Sequence, residues 1–511
     1  MKIQPALSNP LVNFLGKRHE AFLREDMLKL VEEFRIRHFT FHYTALDGKL
    51  KELKLPFTTK AQAERILAEG ERVDGSSLFK GLVDTSLSDL YVVPVYGTAF
   101  LNPFDGYSLD FVCRYLDRNH DFAWHTTDNI LSRAAELFRK DTGFELNALG
   151  ELEFFLVYKP DSSLYPIPQQ SGYHASSPFV KTSQVINEMV EHISRITGMV
   201  KYAHSEVGHI HKISSHLPEL DGMRAEQHEI EFLPAPVEKM ADMIAVARWI
   251  IRTVALRHNM LATFAPKLNE SAAGNGFHFH MEITKDGRNA MVENDTLAPE
   301  ARKLIGGLCR FAPSLSSFGN TVASSFLRLV PNHEAPTKIC WSDMNRSALV
   351  RVPLGWIKGS NLAMKVNPVE STPYEDRRDR QTVEFRSPDG SAKVHLLLAG
   401  LTLAARAGLT EDGMVERAER DYVKGNIFDD PEKYAHLEAL PANCSACADL
   451  LEKERGLYEK DGVFPPPMID YVIRMLRAER DDHLARDLSE LPADDRLAKT
   501  RKVMHKDIYA N

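Results

Sequence analysis

The sequence predicts an α+β fold, on two observations. Strand-like and helix-like stretches come in separate runs rather than the strand–helix–strand rhythm that builds a parallel sheet, and neither GxGxxG nor GxxxxGK[ST] occurs. Three short segments, Glu151-Leu152-Glu153, His278-Phe279-His280 and Glu384-Phe385-Arg386, set charged or imidazole side chains one residue apart. In extended chain, side chains at i and i+2 share a face. Glu151 and Glu153 therefore project together with Leu152 and Phe154 behind them, and His278 and His280 do the same with Phe277 and Phe279 behind. Each segment reads as a strand with one apolar, buried face and one ligand-bearing face. Glu206 and Glu229 form a further acidic pair between the first two segments. Carboxylates held side by side repel unless a cation, proton or basic group lies between them. The set predicts a multi-metal site, with arginine left over for an anionic substrate.

The elements follow in chain order. Residues 20–36 space Phe22, Met27, Leu28, Leu30, Val31 and Phe34 as a helix does. His38-Phe39-Thr40-Phe41-His42-Tyr43 alternates, Asp47-Gly48 signals a hairpin, and residues 49–56 alternate again. A helix over 60–69 and the strand-like Leu90-Tyr91-Val92-Val93-Pro94-Val95 complete a small α+β unit. The turn-rich Asn102-Pro103-Phe104-Asp105-Gly106 places its boundary near 105, giving a first domain of 1–105 and a second of 106–511. In the second domain, a helix over 126–141 leads into the strand around Glu151, and 160–178 is a Pro- and Ser-bearing loop. Helices follow at about 182–197 and 238–258, the latter with a core-facing stripe from Met240 to Val254. Residues 361–380 are polar and loop-like, their Glu375-Asp376-Arg377-Arg378-Asp379-Arg380 run reading as solvated surface. Residues 390–408 form a buried helix, and the tail from about 470 is helical and charged.

With 511 residues, 26% charged and a net charge of −8, the chain has an ordinary globular balance, which argues against nucleic acid or an anionic membrane surface as partner. No apolar run spans a bilayer, and Met1-Lys2-Ile3-Gln4-Pro5 lacks a signal-peptide pattern, so a cytoplasmic protein is expected. Five cysteines are too scattered for a disulfide framework. Cys444-Ser445-Ala446-Cys447 has no second soft pair to make a zinc site, and reads as two incidental thiols.

Taken in order, Asp74-Gly75-Ser76-Ser77, Glu151-Leu152-Glu153, Glu206, Gln227-His228-Glu229 and Pro266-Lys267 form the start of a longer series. It continues through Gly274-Asn275-Gly276-Phe277-His278-Phe279-His280, Arg328 to Pro336, Asn345 to Pro353, and Val383-Glu384-Phe385-Arg386. Each motif alone is ordinary: an ExE is commonly a solvated strand face, and paired histidines are commonly structural. Together they resemble the ordered motifs of the glutamine synthetase family, type I-like, over residues 40–480. The resemblance implies a β-grasp-like first domain and a catalytic second domain, an antiparallel sheet with helices. It implies ATP-dependent ligation of ammonia to glutamate through an acyl phosphate, with ATP, glutamate and ammonium as small-molecule substrates. Glu153, Glu206 and Glu229 would hold one divalent ion, and Glu151, His278 and Glu384 the other, Mg2+ or Mn2+. Arg328 and Arg386, with Gly274, would grip the amino acid; Arg346, Arg351 and His280 would meet ATP. Glu334 would be the base under a flap, with Arg346 counted beside it as catalytic. Asp74 and Ser77 would serve a neighbouring subunit's ammonium pocket, lined by Tyr173. The resemblance also implies a homo-oligomer, two stacked hexameric rings.

Four departures from the pattern matter. His209 to Met223 is an insertion between two ligand glutamates and reads as a surface loop. Ala273 stands where the family has an Asn that helps position glutamate, and Thr382 where it has an Arg, with Arg380 out of register. Phe428 replaces the Tyr that some bacterial members adenylylate. Asp74 favours ammonia as acceptor, while Ala273 and the insertion leave open a relative that ligates a primary amine. A non-catalytic structural relative is the third reading, disfavoured because all five ligand glutamates and His278 remain.

Overall fold

The computed structural model describes residues 5–84, 88–160, 164–330, 335–355, 361–374, 380–430 and 432–511. The first six strands are β1 (His38–Thr44), β2 (Leu50–Pro56), β3 (Glu71–Asp74), β4 (Asp89–Pro94), β5 (Phe100–Leu101) and β6 (Ser108–Leu116). They form one sheet in the order β2-β1-β6-β4-β3, with β5 on β6. Asp47 and Gly48 turn β1 into β2 as an antiparallel hairpin, with Lys49 N–H donating to Asp47 Oδ1. Helices Arg24–Glu33 and Lys60–Glu69 bury Met27, Leu30, Ala63, Ile66 and Leu67 in the same core as Phe39 and Phe111 of the sheet. Thr59 Oγ1 caps the second helix by accepting from Gln62 N–H. The sheet continues past the turn at 102–106: β6, beyond that turn, pairs in parallel with β1 and supplies a central strand. Pairing partners distant in sequence, not turn composition, set where this sheet closes.

The second sheet is built on β7 (Glu145–Tyr158), β8 (Val200–Ile210), β9 (Arg224–Phe232), β10 (Ala235–Pro236), β11 (Leu261–Thr263), β12 (Phe277–Lys285) and β13 (Arg288–Asn289). A small ribbon of β14 (Val292–Glu293) and β15 (Thr296–Leu297) precedes its last members, β16 (Trp341–Asp343), β17 (Val350–Val352) and β18 (Val383–Phe385). The order is β16-β17-β18-β12-β7-β9-β8, antiparallel except for β16 with β17. Leu152, Phe154, Phe277 and Phe279 face the core as expected and are fully buried. Helix Val237–Arg257 contributes Met240, Ile244, Ala247 and Ile251 to that core, joined by helices Thr127–Thr142, Pro299–Gly319 and Val394–Thr410. None of the helices among the described residues is long and apolar enough to cross a membrane. Cys444 and Cys447 lie buried in helix Cys444–Glu454, and burial pushes both thiols up, away from reactivity.

The inserted segment is not a bare surface loop. Its first residues extend β8, pairing His209 with Glu226 and Ile210 with Ala225. Ile213 and Leu220 then bury against Leu268, Ala272 and Ile508 in a second small core. Apolar residues in the insertion thus have a partner from the far end of the chain. Helix Ala493–His505 carries His505, whose ring bridges Ser215 Oγ at 2.8 Å and the Leu268 carbonyl at 2.9 Å.

Candidate active site

Strand register brings the predicted groups together. Pairing of β7 with β12 sets Glu151 opposite His278, β7 with β9 sets Glu153 opposite Glu229, and β12 with β18 sets His280 opposite Glu384. Glu206 arrives on β8. All of these except Glu384, which is fully buried behind them, line one cavity of about 1030 Å³. Three donor groups, each with ligand atoms within 4.8 Å of one another, run across it: Glu151, His278 and Glu384; Glu151, Glu229 and Glu231; and His204, Glu206 and Glu229. Glu151 and Glu229 each belong to two groups, so the three form a continuous ladder.

Electrostatics divide the ladder. At one end burial works against the charge of Glu151, but the imidazoles of His280 and His278, both 2.8 Å away, hold its carboxyl well below the usual range. Glu384 is buried too, yet Arg386, in direct contact, keeps it low, and Arg351 Nη1 donates to its other oxygen at 2.7 Å. At the other end burial, then Glu206 and Glu229, push Glu153 well above the ordinary carboxylate value. Burial, then Glu151, Glu206 and Glu384, do the same to Glu229. Buried carboxylates that raise one another need an added cation or a proton. The donors are oxygen-rich with imidazole at each end, a set that fits divalent ions of the Mg2+ or Mn2+ class.

The expected ligand sets are only partly reproduced. Glu153 spends Oε2 on Gly276 N–H at 2.8 Å and Gln227 Nε2 at 3.0 Å, while His204 stands beside Glu206 and Glu229. His204 was legible only as the residue two before Glu206 on the same strand face. His280, expected beside a nucleotide, bonds Glu151 directly and Thr382 Oγ1 at 2.9 Å. Thr382 thus serves the histidine, and the positive charge on that wall comes from Arg346, Arg351, Arg380 and Arg386, all of which line the cavity.

The loop between β11 and β12 closes the opposite wall. A Cβ on Gly274 would lie 2.2 Å from the Pro266 carbonyl, and one on Gly276 would lie 2.4 Å from His278 Nε2. Both close approaches require glycine. They seat the loop against Arg328, which is buried, donates to the Ser387 carbonyl at 2.9 Å and lines the cavity. Tyr173 is at the cavity too, about half exposed at 51%, its ring 4.4 Å from that of His174. Asp74 and Ser77 lie in the first domain and are not among the described residues that line this chain's cavity. Hydrogen bonds from Ser77 and Ser76 lower the Asp74 carboxyl to about 2. Glu334 lies outside the described residues, as does Glu375 to Asp379 of the mixed-charge run.

Comparisons with known proteins point to one family. The glutamine synthetase beta-Grasp domain model matches residues 35–118, and the glutamine synthetase catalytic domain model matches 126–490. Glutamine synthetase of Thermococcus kodakarensis is 30% identical over 447 residues, 86% of this chain and 89% of that protein. The Aquifex aeolicus glutamine synthetase is 26% identical over 493 residues, covering 90% and 95%. Among solved structures, Plasmodium falciparum glutamine synthetase superposes with a TM-score of 0.72 at 20% identity, covering 93% of this chain and 98% of that one. A GmaS/ADP complex gives 0.71 at 20% identity over 92% and 98%. The chain belongs to the glutamine synthetase family, and it is an ATP-dependent carbon–nitrogen ligase.

Proposed function

We propose that this ligase joins ammonia to the γ-carboxylate of L-glutamate, giving glutamine, ADP and phosphate. The observation that carries the reading is the ladder of donor groups set between an arginine-lined wall and the glycine-seated loop beside Arg328. A glutamate carboxylate gripped by Arg328 presents its γ-carboxylate to the γ-phosphorus of ATP. An oxygen–phosphorus bond forms, ADP leaves, and an acyl phosphate results. Ammonia then bonds to the acyl carbon and phosphate departs. Arg346 and Arg351, with Arg380 beside them, offset charge on the phosphoryl oxygens, and Arg386 joins Arg328 on the amino acid. Divalent ions held by Glu151, His278 and Glu384, and by Glu206 and Glu229 with Glu153 or His204, would supply Lewis-acid neutralisation of the same oxygens. Glu334 is the base the sequence offers to the incoming ammonium. The reaction draws on ATP and fits the cytoplasm, and the site is shared between subunits of a ring-shaped homo-oligomer.

A second reading takes a primary amine as acceptor. It is favoured by the open, aromatic rim, where Tyr173 is half exposed beside His174 and 5.5 Å from His204, since ring faces attract alkylammonium groups. Phosphate release from ATP and glutamate, compared across ammonium, methylamine, ethanolamine and polyamines, tests both. The first reading expects glutamine as product and the highest kcat/KM with ammonium. A higher kcat/KM with any of the amines replaces it by the second.

A further inference from the structure

We infer that Gln170 is a substrate-binding residue whose side-chain amide donates to a carboxylate of the amino-acid substrate, an inference that rests on the ligation reading above. Gln170 comes from the loop before Tyr173 and lines the cavity together with Ala273 and Gly274. Ala273 brings no polar side chain to this wall, and the carboxamide of Gln227 there is already spent on Glu153, the Gly274 carbonyl and Asn275, which leaves that of Gln170. Its Oε1 accepts from the Ala273 N–H at 2.6 Å. That bond fixes which way the amide faces, because turning it over would set a donor against a donor. Nε2 is therefore directed away from the Ala273 amide. It is buried and has no hydrogen-bond partner among the described residues. A buried donor left unserved costs stability, and such a group points to a ligand.

The backbone supports the same conclusion. Gln170 holds a φ of 59°, a left-handed conformation that costs a residue with a Cβ on the order of 1 kcal/mol. Neighbouring bonds hold it there: Gln169 Nε2 donates to Ser271 Oγ at 3.3 Å, and Gly172 N–H donates to the Val207 carbonyl at 3.3 Å. The amide is thus fastened to the loop that contacts Arg328, where a Cβ on Gly274 would lie 3.1 Å from the Arg328 Cγ. A neutral donor and a buried guanidinium lining the same cavity suit a carboxylate, one oxygen to each. The nucleotide side, with Arg351 on Glu384, lies on other strands.

Gln170→Glu and Gln170→Ala separate this role from a merely structural one. Glu keeps an acceptor for the Ala273 N–H but has no donor, and adds negative charge. If Gln170 binds the substrate carboxylate, Gln170→Ala raises the KM for glutamate roughly ten- to hundred-fold, the range for a lost bond to a charged group. Gln170→Glu raises it further, while the KM for ATP stays within about twofold in both. If the side chain only braces Ala273, Gln170→Glu behaves as the parent. An active parent enzyme with an unchanged glutamate KM in Gln170→Glu overturns the inference alone. A parent without glutamate-dependent phosphate release overturns the ligation reading, and the inference with it.

Discussion

Glu229 is the side chain on which the site converges, because it belongs to two of the three donor groups and faces Glu153 across the β7–β9 pair. Its neutral isostere removes charge without removing volume. Glu229→Gln is expected to weaken Mn2+ binding by at least about tenfold and to lower kcat in proportion. Metal titration followed by the shift in thermal midpoint measures this without relying on turnover, and an unchanged midpoint shift would remove Glu229 from the ligand set. The alternation of Glu151, Glu153, His278 and His280 was legible because a strand's period of two is local information. His204 was not. Only β9, lying between β7 and β8, brings it beside Glu229, and pairing between strands is invisible in a single segment. Phe428 stays without a hydroxyl to modify, and nearby Tyr434 is buried with its hydroxyl donating to the Lys424 carbonyl. Incubation with an adenylylating enzyme and labelled ATP is expected to leave Tyr434 unlabelled.

At the scale of elements, helices announced themselves and their partners did not. The helix read at 60–69 is found at Lys60–Glu69, and that read at 182–197 at Ser183–Thr197. Helix Pro299–Gly319, with Pro313 inside it, broke the usual signals and went unread. The insertion was recognised as extra chain, but its docking on the C-terminal helix is a contact between segments nearly 300 residues apart, of which the sequence says nothing. Leu220→Ala should destabilise that small core by about 2–4 kcal/mol, read from chemical unfolding. A cost near zero would mean that the hairpin tip is loosely held. The junction of the two domains carries a pH dependence. His125, just before helix Thr127–Thr142, stacks edge-on against Phe79 of the first domain at 5.3 Å, and burial lowers its pKa from 6.5 to about 4. A lowered histidine pKa means that the unfolded chain takes up a proton more readily than the folded one. Stability from His125 is therefore complete above pH 6.5 and is lost as pH falls toward 4, by about 2–3 kcal/mol in all. His125→Phe should flatten the fall in thermal midpoint between pH 7 and 4.5, and an equally steep fall in the variant would assign the acid sensitivity elsewhere.

The whole molecule poses one question that a single chain leaves open. Asp74 is ionised down to about pH 2, fully exposed, and placed in the first domain rather than at its own chain's cavity. A carboxylate kept charged by Ser76 and Ser77, yet without a basic partner among the described residues, is suited to concentrating ammonium at a site completed by another copy. Asp74→Ala should then raise the KM for ammonium much more than that for ATP. The stronger test uses geometry. In a shared site, one subunit supplies Asp74 and its neighbour supplies Glu334. Asp74→Ala and Glu334→Ala, each nearly inactive, should regain part of the parent activity when unfolded together and reassembled, because some interfaces then combine two intact halves. For random mixing of equal amounts, about a quarter of the interfaces carry both wild-type groups, which bounds the recovery. Recovery should appear only after mixing in the unfolded state, and should track the oligomer rather than the monomer peak on size-exclusion chromatography. No recovery in a correctly sized assembly, or full activity in a monomer, would place both residues in one chain's site and sink the shared arrangement.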